Sequence, residues 1–599
     1  MLEHKESIAP AQLHWQDGQP VSAAFDDIYF SADGAEEVQR VFLQPSKIVA
    51  RANAASAYLT VAELGFGTGL NFIVCADELL RASSRILHFI SVEAHPLAPS
   101  DWQKVASLQP HSPTAQALAA APPPLLSGWH RRSFHDGRVQ LSVFHGDVTH
   151  ALDDLHARQR QPIDAWFLDG FTPAKNPAMW QASVIHRIAS LSTRGTTVAT
   201  FTSAGQVRRD LDAAGFAMTK IDQRPLKRTS LLGNFVANGK PQAEQPPRRV
   251  SVLGAGIAGA TVARQLAQLG ICVSVFDPNG MASGGSQMPV SALHARLLGD
   301  QTAAAEFRAR AFHHARAMHQ DYPSFRPTGA LQLALNEREL TKLKRIQAVY
   351  GTGRLAAEDD WLHYQTPEEL LASVRTQALG GLYFDGAGLV DLPLLCKTLL
   401  DHSNIEFSEM AAEPDEGQPW VIACGTASRN HTLGIPLEVG SVWGQLDWIQ
   451  PFSAHPNNTR TRPIVGNGYA IPNGQAWVVG SSYEYRPWEP AQATASNIES
   501  NRRFIGPDDM QTLSYKRAPR CVSSDRNPVI GRLAQHRWIS TAHGSLGTSS
   551  APLAASIIAS DIMGWVPPVS VRVLAALAPM RFIARQARRG VKVVGPAEP

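Results

Sequence analysis

The chain has 599 residues, 44% of them hydrophobic, and a formal net charge of +3. Such a length excludes a single ordinary domain and suggests roughly three or four units of about 100–200 residues each, and the apolar content excludes a disordered chain. The near-neutral balance does not announce a nucleic-acid binder, although it is compatible with a local basic surface. Five scattered cysteines, Cys75, Cys272, Cys396, Cys424 and Cys521, are odd in number and show no CxxC spacing. They argue against a disulfide framework or a zinc site and suit a reducing cytosol. Met1-Leu2-Glu3-His4-Lys5-Glu6 lacks the apolar core of a signal peptide, and no apolar run is long enough to span a bilayer. A cytoplasmic protein without metal or membrane attachment is the expectation.

In chain order, the first half alternates strand and helix signals. Tyr58 to Glu63 has a buried-strand pattern and leads into Glu63-Leu64-Gly65-Phe66-Gly67-Thr68-Gly69-Leu70, the acidic-start glycine loop common in S-adenosylmethionine sites. Further strands are expected at Ile86 to Glu93, Val139 to Phe144, Ala165 to Asp169 and Thr196 to Phe201. Strands alternating with helices imply a mainly parallel, doubly wound sheet, whose ligands sit at the carboxyl ends of the strands. Glu63, Glu93, Asp147 and Asp169 fall at or just beyond those ends. Glycines at 65, 67 and 69 let the backbone pass close to a ligand. Glu93 has the position of a ribose-binding acid, and Asp147 that of a partner for an adenine amino group. A tight strand–helix connection with no ligand would use the same glycines, but the ordered acids favour a site. Ala121-Pro122-Pro123-Pro124 reads as a surface loop.

Asp169-Gly170-Phe171-Thr172-Pro173-Ala174-Lys175-Asn176-Pro177 is a shaped loop at a strand end. Methyl transfer to an amine needs a neutral nitrogen, and an alkylamine is mostly protonated at neutral pH. Asp169 is therefore a candidate for orienting an amine and taking its proton, or else it merely caps the following turn.

Asn238 to Pro247 is polar and proline-rich and reads as a linker. The expected division is a methyltransferase-type domain over residues 1–237, a linker over 238–248 and an oxidoreductase-type domain over 249–599. The second part opens with a strand and Gly254-Ala255-Gly256-Ile257-Ala258-Gly259. A helix and the strand Ile271 to Phe276 follow, ending in Asp277. That spacing is the dinucleotide-binding fingerprint, with the pyrophosphate at a helix N-terminus and Asp277 on a ribose. It does not separate FAD from NAD. Two later segments favour FAD. One is the buried run Val421 to Ala427. The other is His543-Gly544-Ser545-Leu546-Gly547, which opens a helix and can bring Gly544 and Gly547 backbone N–H groups to a flavin ring. Residues 437–515 read as an antiparallel substrate subdomain.

Nearly the whole chain resembles the family of bifunctional tRNA 5-methylaminomethyl-2-thiouridine biosynthesis proteins MnmC. The resemblance rests on Asp27 to Ser31, Glu63 to Asn71, Glu93 to Leu97, Leu168 to Trp180, Thr200 to Gly205 and Lys227-Arg228. In the second half it rests on Gly254 to Gly259, Arg520 to Gly531 and Gly544 to Leu553. The second half is also similar to D-amino-acid and glycine oxidases, and the chain departs from the family pattern at Ala282 to Gln287. The resemblance implies a Rossmann-like methyltransferase sheet fused to an FAD-binding Rossmann-type domain of D-amino-acid-oxidase type. It implies FAD as cofactor, S-adenosylmethionine as co-substrate, and tRNA, at the wobble uridine of its anticodon loop, as partner. The FAD half would remove the carboxymethyl group from 5-carboxymethylaminomethyl uridine, and the first half would methylate the amine left behind.

The substrate carboxylate then calls for a cation, and Arg520 is the candidate, with a structural ion pair as its other reading. Arg131-Arg132, Arg208-Arg209, Lys227-Arg228 and the tail residues Arg581, Arg585, Arg588, Arg589 and Lys592 are candidates for phosphate contacts or simply solvated faces. The competing reading is an FAD-dependent oxidase of glycine or sarcosine type whose front half is a non-catalytic interaction module. A cofactor-free tRNA-binding protein is a further one.

Overall fold

A computed structural model describes all residues except 1–7, 17, 31–32, 56, 225–228, 352–359, 372–376, 416, 453–461, 467, 475, 506–508 and 591–599. Met1 to Glu6, Lys227-Arg228 and Lys592 lie outside the described residues. The chain divides into two compact units. One runs up to Pro246 and also takes in Ser560–Ser570; the other comprises Pro247–Ala559 and the chain from Val571 on. The sequence assigns all of 249–599 to one domain, whereas packing puts Ser560–Ser570 with the first unit.

The first unit is built on an eight-stranded sheet. Its five central strands are parallel and run in the order Ser192–Thr200, Ile163–Leu168, Tyr58–Leu64, Ile86–Glu93 and Val139–His145. Antiparallel strands flank them: Thr229–Phe235 and Phe216–Asp222 on one side, Gly128–Phe134 on the other. Helices cover both faces, so the central strands are apolar almost throughout, as parallel strands buried on two sides must be. Val61, Phe89, Leu141 and Phe167 pack with Phe72 and Leu118 on one face. Ala62, Ile90, Trp166 and Val198 pack with Leu152 and Ile188 on the other. The order of connection reverses beside Tyr58–Leu64, and the crevice at such a switch point is where open sheets of this type bind ligands.

Two expectations for this unit fail for one reason. Pro123 and Pro124 are buried, so the proline stretch is not a surface loop. Its carbonyls need donors: Arg132 Nε reaches Ala121 O at 3.1 Å and Pro122 O at 3.2 Å, and His145 Nδ1 lies 3.0 Å from Pro124 O. Arg132 is therefore 6% exposed and Arg131 4% exposed, and neither presents itself to phosphate. Arg131 donates to Val566 O at 2.9 Å and lies over the Trp565 ring, which in turn stacks on His88 with ring centroids 4.0 Å apart. Burial lowers the Arg131 pKa to about 9.

The second unit combines two main sheets. A six-stranded sheet runs Ile405–Ser408, Cys272–Phe276, Arg249–Leu253, Trp420–Ile422, Arg537–Thr541 and Val529–Ala534, parallel except for the last strand. An eight-stranded, largely antiparallel sheet contains Tyr469–Asn473, Ala476–Gly480 and the long pair Val439–Pro451 with Met510–Ser523. In that pair Arg520 stands opposite Val442, with Gly444 two positions along on the same face. Among the described residues, no helix is long and apolar enough to cross a membrane.

Candidate active sites

In the first unit, Tyr58–Leu64 ends in the glycine loop and the helix Leu70–Ala82 follows. Gly65 has φ +90°, and a Cβ there would lie 2.8 Å from the Asp169 carbonyl oxygen. Only glycine lets these two strand ends approach so closely. A cavity of about 670 Å³ opens above them, lined by Gly65, Gly67, Asn71, Glu93, Asp147 and Asp169 among others. Glu93 accepts the Gly67 N–H at 2.7 Å and the His95 N–H at 2.8 Å. Burial raises its pKa, while these donors pull it down. Asp147 caps the helix Val148–Arg158, accepting from Thr149 N and His150 N, and still borders the cavity.

Asp169 accepts Asn71 Nδ2 at 2.8 Å on one oxygen and its neighbour Gly170 N at 2.9 Å on the other. These bonds fix the carboxylate plane at the border of the cavity. The loop beyond it is closed by Trp180 Nε1 donating to Phe171 O, and Phe171 stacks on Phe25 at 4.4 Å. Glu63 and Gly69 are not among the cavity-lining residues. Glu63 is buried, takes a hydrogen bond from Ser91 Oγ at 2.9 Å, and burial raises its pKa well above the carboxylate range. Its Oε2 and Asn71 Oδ1 are buried acceptors with no partner among the described residues. The carboxylates that do border the cavity, Glu93, Asp147 and Asp169, together with the open glycine loop, fit a donor-bearing ligand such as the ammonium-bearing S-adenosylmethionine.

In the second unit, Gly254 has φ +109° and a Cβ there would lie 2.5 Å from Ala423 O. This contact brings the first glycine loop against the end of Trp420–Ile422. Asp277 accepts Ala255 N at 2.9 Å, and Ser286 Oγ takes the Ile257 N–H at the start of the helix Ile257–Gln268. A cavity of about 700 Å³ is lined by Gly254, Gly256, Asp277, Arg520, Gly544 and Gly547. Gly259 is not among its lining residues; a Cβ there would lie 1.8 Å from Gly254 O, so its place is to seat the helix on the loop. Glycine turns, a strand-end acid and a second helix start at Gly547 together fit an extended dinucleotide such as FAD.

The sequence reading missed three residues of this cavity: His294, Arg296 and Tyr469. No periodicity announces them: His294 and Arg296 follow the strand Ser291–Leu293 in irregular chain, and Arg296 has φ +41°. Arg296 is exposed and Arg520 half-buried, and both border the cavity. Desolvation first, then the charge of Arg520, lowers the Arg296 pKa. Burial likewise lowers that of Arg520, against the pull of Tyr469 and Glu484. Neither arginine has a carboxylate ion pair among the described residues. Arg296 Nη1 is 3.1 Å from Ser545 Oγ, and Arg520 Nη1 is 3.2 Å from Ser482 O. Two cations concentrated in one cavity are a receptor for an anionic group. His294 Nε2 is buried without a hydrogen-bond partner among the described residues, and burial lowers the His294 pKa to about 3.

The basic candidates for RNA contact fare differently. Arg581 and Arg585 pair with Asp525 at 2.9 Å and 2.7 Å, and Arg585 and Arg589 pair with Glu438. They are structural ion pairs. Arg588 and Arg209 remain exposed, with Arg208 half-buried.

Residues 109–235 match the family model of S-adenosyl-L-methionine-dependent methyltransferases, and residues 249–404 match that of FAD dependent oxidoreductases. The chain is therefore a methyltransferase using S-adenosylmethionine joined to an FAD-dependent oxidoreductase. Among solved structures, glycine oxidase from Geobacillus kaustophilus aligns with 56% of this chain and 99% of its own, at 17% identity and a TM-score of 0.47. The tRNA 5-methylaminomethyl-2-thiouridine biosynthesis bifunctional protein MnmC of Ectopseudomonas mendocina (strain ymp) is 32% identical over 97% of this chain and 98% of its own length. That of Idiomarina loihiensis is 31% identical over 95% and 98%. With both catalytic units present and such relatives matched from end to end, the chain belongs to the MnmC family of bifunctional tRNA-modifying enzymes.

Proposed function

We propose that the chain converts 5-carboxymethylaminomethyl uridine at the wobble position of tRNA first to the 5-aminomethyl and then to the 5-methylaminomethyl nucleoside. The observation that carries the first step is the pair of arginines, Arg296 and Arg520, that border one cavity without a carboxylate ion pair among the described residues. The substrate side chain is an N-substituted glycine, and its carboxylate is the anion that these two cations lack. Held there, the methylene between nitrogen and carboxylate is oriented for loss of two electrons and two protons, one from the carbon and one from the nitrogen. FAD supplies the two-electron acceptor. The imine so formed takes up water and breaks at carbon–nitrogen, so the carboxymethyl group leaves as glyoxylate and the aminomethyl group stays on the base.

The second step belongs to Asp169. An aminomethyl group arrives protonated, and Asp169, its plane set by Asn71 and Gly170, draws the ammonium in and takes its proton. S-adenosylmethionine supplies the methyl group to the freed lone pair. Gly65, Gly67 and Glu93 position that co-substrate, with Asp147 beside them. Asp277, Gly254, Gly256, Gly544 and Gly547 hold FAD. Glu63, Gly69 and Gly259 shape the two loops without bordering the cavities.

Anaerobic mixing of the FAD-loaded chain with tRNA bearing the carboxymethylaminomethyl group tests the assignment through bleaching of the flavin. Bleaching is expected with that tRNA and not with the same tRNA bearing the aminomethyl group. Rapid bleaching by glycine or sarcosine with none by either tRNA would move the assignment to a small-molecule oxidase.

A further inference from the structure

Residues Ser482 to Tyr485 are buried, exposed, buried, exposed in turn. This is the alternation of an extended strand, and Glu484 makes an antiparallel bridge with Trp443. The inward pair is firmly held. Glu484 is fully buried, bonded to Arg517 and Ser482 Oγ at 2.5 Å each and to Trp488 N at 2.8 Å. With Glu484 locked inward, Tyr483 and Tyr485 have to point out. They are 40% and 68% exposed, in an edge-to-face pair with centroids 5.7 Å apart. Arg526 lies over both rings, at 5.0 Å and 5.9 Å, and donates to the Tyr485 hydroxyl. Its neighbour Asp525 is committed to Arg581 and Arg585, so the Arg526 charge faces the tyrosines and solvent.

Two observations say what such a cluster would hold. Tyr483 also lines the oxidase cavity, so the cluster sits on its rim. The residue next to Tyr483, Ser482, offers its carbonyl to Arg520. A carboxylate on Arg520 is joined to its uracil ring only by a methylene–amine–methylene chain, so the ring lies close to this rim. Exposed aromatic faces backed by a guanidinium are the usual means of gripping unpaired bases irrespective of sequence.

We propose that Tyr483, Tyr485 and Arg526 form a stacking platform for an unpaired nucleobase of the substrate RNA at the rim of the oxidase cavity. The proposal rests on the reading that the substrate is tRNA. The platform supplies grip on a base, where the arginines inside supply grip on its carboxylate.

Fluorescence anisotropy of the full, FAD-loaded chain tests it, with an anticodon stem-loop and with the same stem-loop made abasic through the loop. The wild type should bind the base-bearing loop about tenfold more tightly than the abasic one, as expected for one stacked base. Tyr485→Ala, and the double variant Tyr483→Ala/Tyr485→Ala, should lose that preference, and Tyr483→Phe/Tyr485→Phe should keep it. Affinity for the abasic loop should not change. Retained preference in the alanine variants, or equal binding of both loops by the wild type, would overturn the platform. So would variants that alter only self-association of the chain, which would assign the patch to a second copy. Flavin bleaching by substrate tRNA, followed in parallel, reports on the enzymatic reading separately. If the wild type is not bleached, that reading fails while the loop comparison still decides the platform.

Discussion

Asp169 and Arg520 each border a cavity and are held by named neighbours, and that makes their substitutions informative. Asp169→Asn keeps the hydrogen-bonding shape toward Gly170 but cannot take a proton. Methylation should fall by about a hundredfold or more, the usual worth of a positioned base. Oxidation should continue at the wild-type rate, so aminomethyl uridine accumulates even with S-adenosylmethionine present, as nucleoside mass spectrometry will read. Arg520 lies directly over Gly444, where a Cβ would be 2.0 Å from its Nη2. Gly444→Ala should therefore displace the guanidinium without removing its charge, raising KM for the carboxylate-bearing tRNA with less effect on methylation of an aminomethyl substrate. His294 and His543 have pKa values lowered by burial to about 3 and about 4. Both stay neutral above pH 5, so His294→Gln should change the oxidation rate without changing the shape of its pH profile between pH 6 and about 9. A profile that loses a limb in this variant would contradict the assignment.

At the scale of elements, the helix Arg581–Arg588 is clamped to the turn after the strand Met510–Ser523 by ion pairs with Asp525. Asp525 is half-buried, and hydrogen bonds and charge from Arg581, with Ser523 and Asn527 donating, outweigh burial and lower its pKa from 3.8 to about 2. A carboxylate with a depressed folded pKa stabilises the fold above its unfolded value, and that contribution is lost as pH falls from about 4 toward 2. Asp525 being only half buried, solvent screening reduces the worth of the shift, and Asp525→Asn should cost about 1 kcal/mol at pH 7 and flatten the acid limb of stability in that window, as denaturant midpoints across pH will show. The strand-end acids and glycine loops were legible in the sequence because each is set by its own strand and turn. The burial of Arg131 was not: its partner Val566 lies 435 positions away, and no local pattern announces that a carbonyl and an indole will cover a guanidinium. The same holds for the tail arginines, whose acids Glu438 and Asp525 flank the ends of distant strands. His294 and Arg296 were not legible, because they follow the short strand Ser291–Leu293 in irregular chain, where no periodicity says which way a side chain faces.

For the whole molecule, the two compact units carry separate chemistries on one substrate atom, the amine nitrogen. We propose that the fusion raises the effective concentration of the methyltransferase site for the intermediate released by the oxidase site. A mixture of Asp169→Asn and Arg520→Ala chains, each with one working site, should form the methylated product while accumulating more aminomethyl intermediate than the wild type at equal site concentration. Equal accumulation would mean that linkage contributes nothing to the sequence of steps.

The central claim is that one chain performs both reactions in a fixed order. The most direct measurement is nucleoside mass spectrometry of tRNA bearing 5-carboxymethylaminomethyl uridine, after incubation with the FAD-loaded protein with and without S-adenosylmethionine. The account predicts the aminomethyl nucleoside without the donor and the methylaminomethyl nucleoside with it. Unchanged tRNA under both conditions, from protein shown to hold FAD, would contradict it.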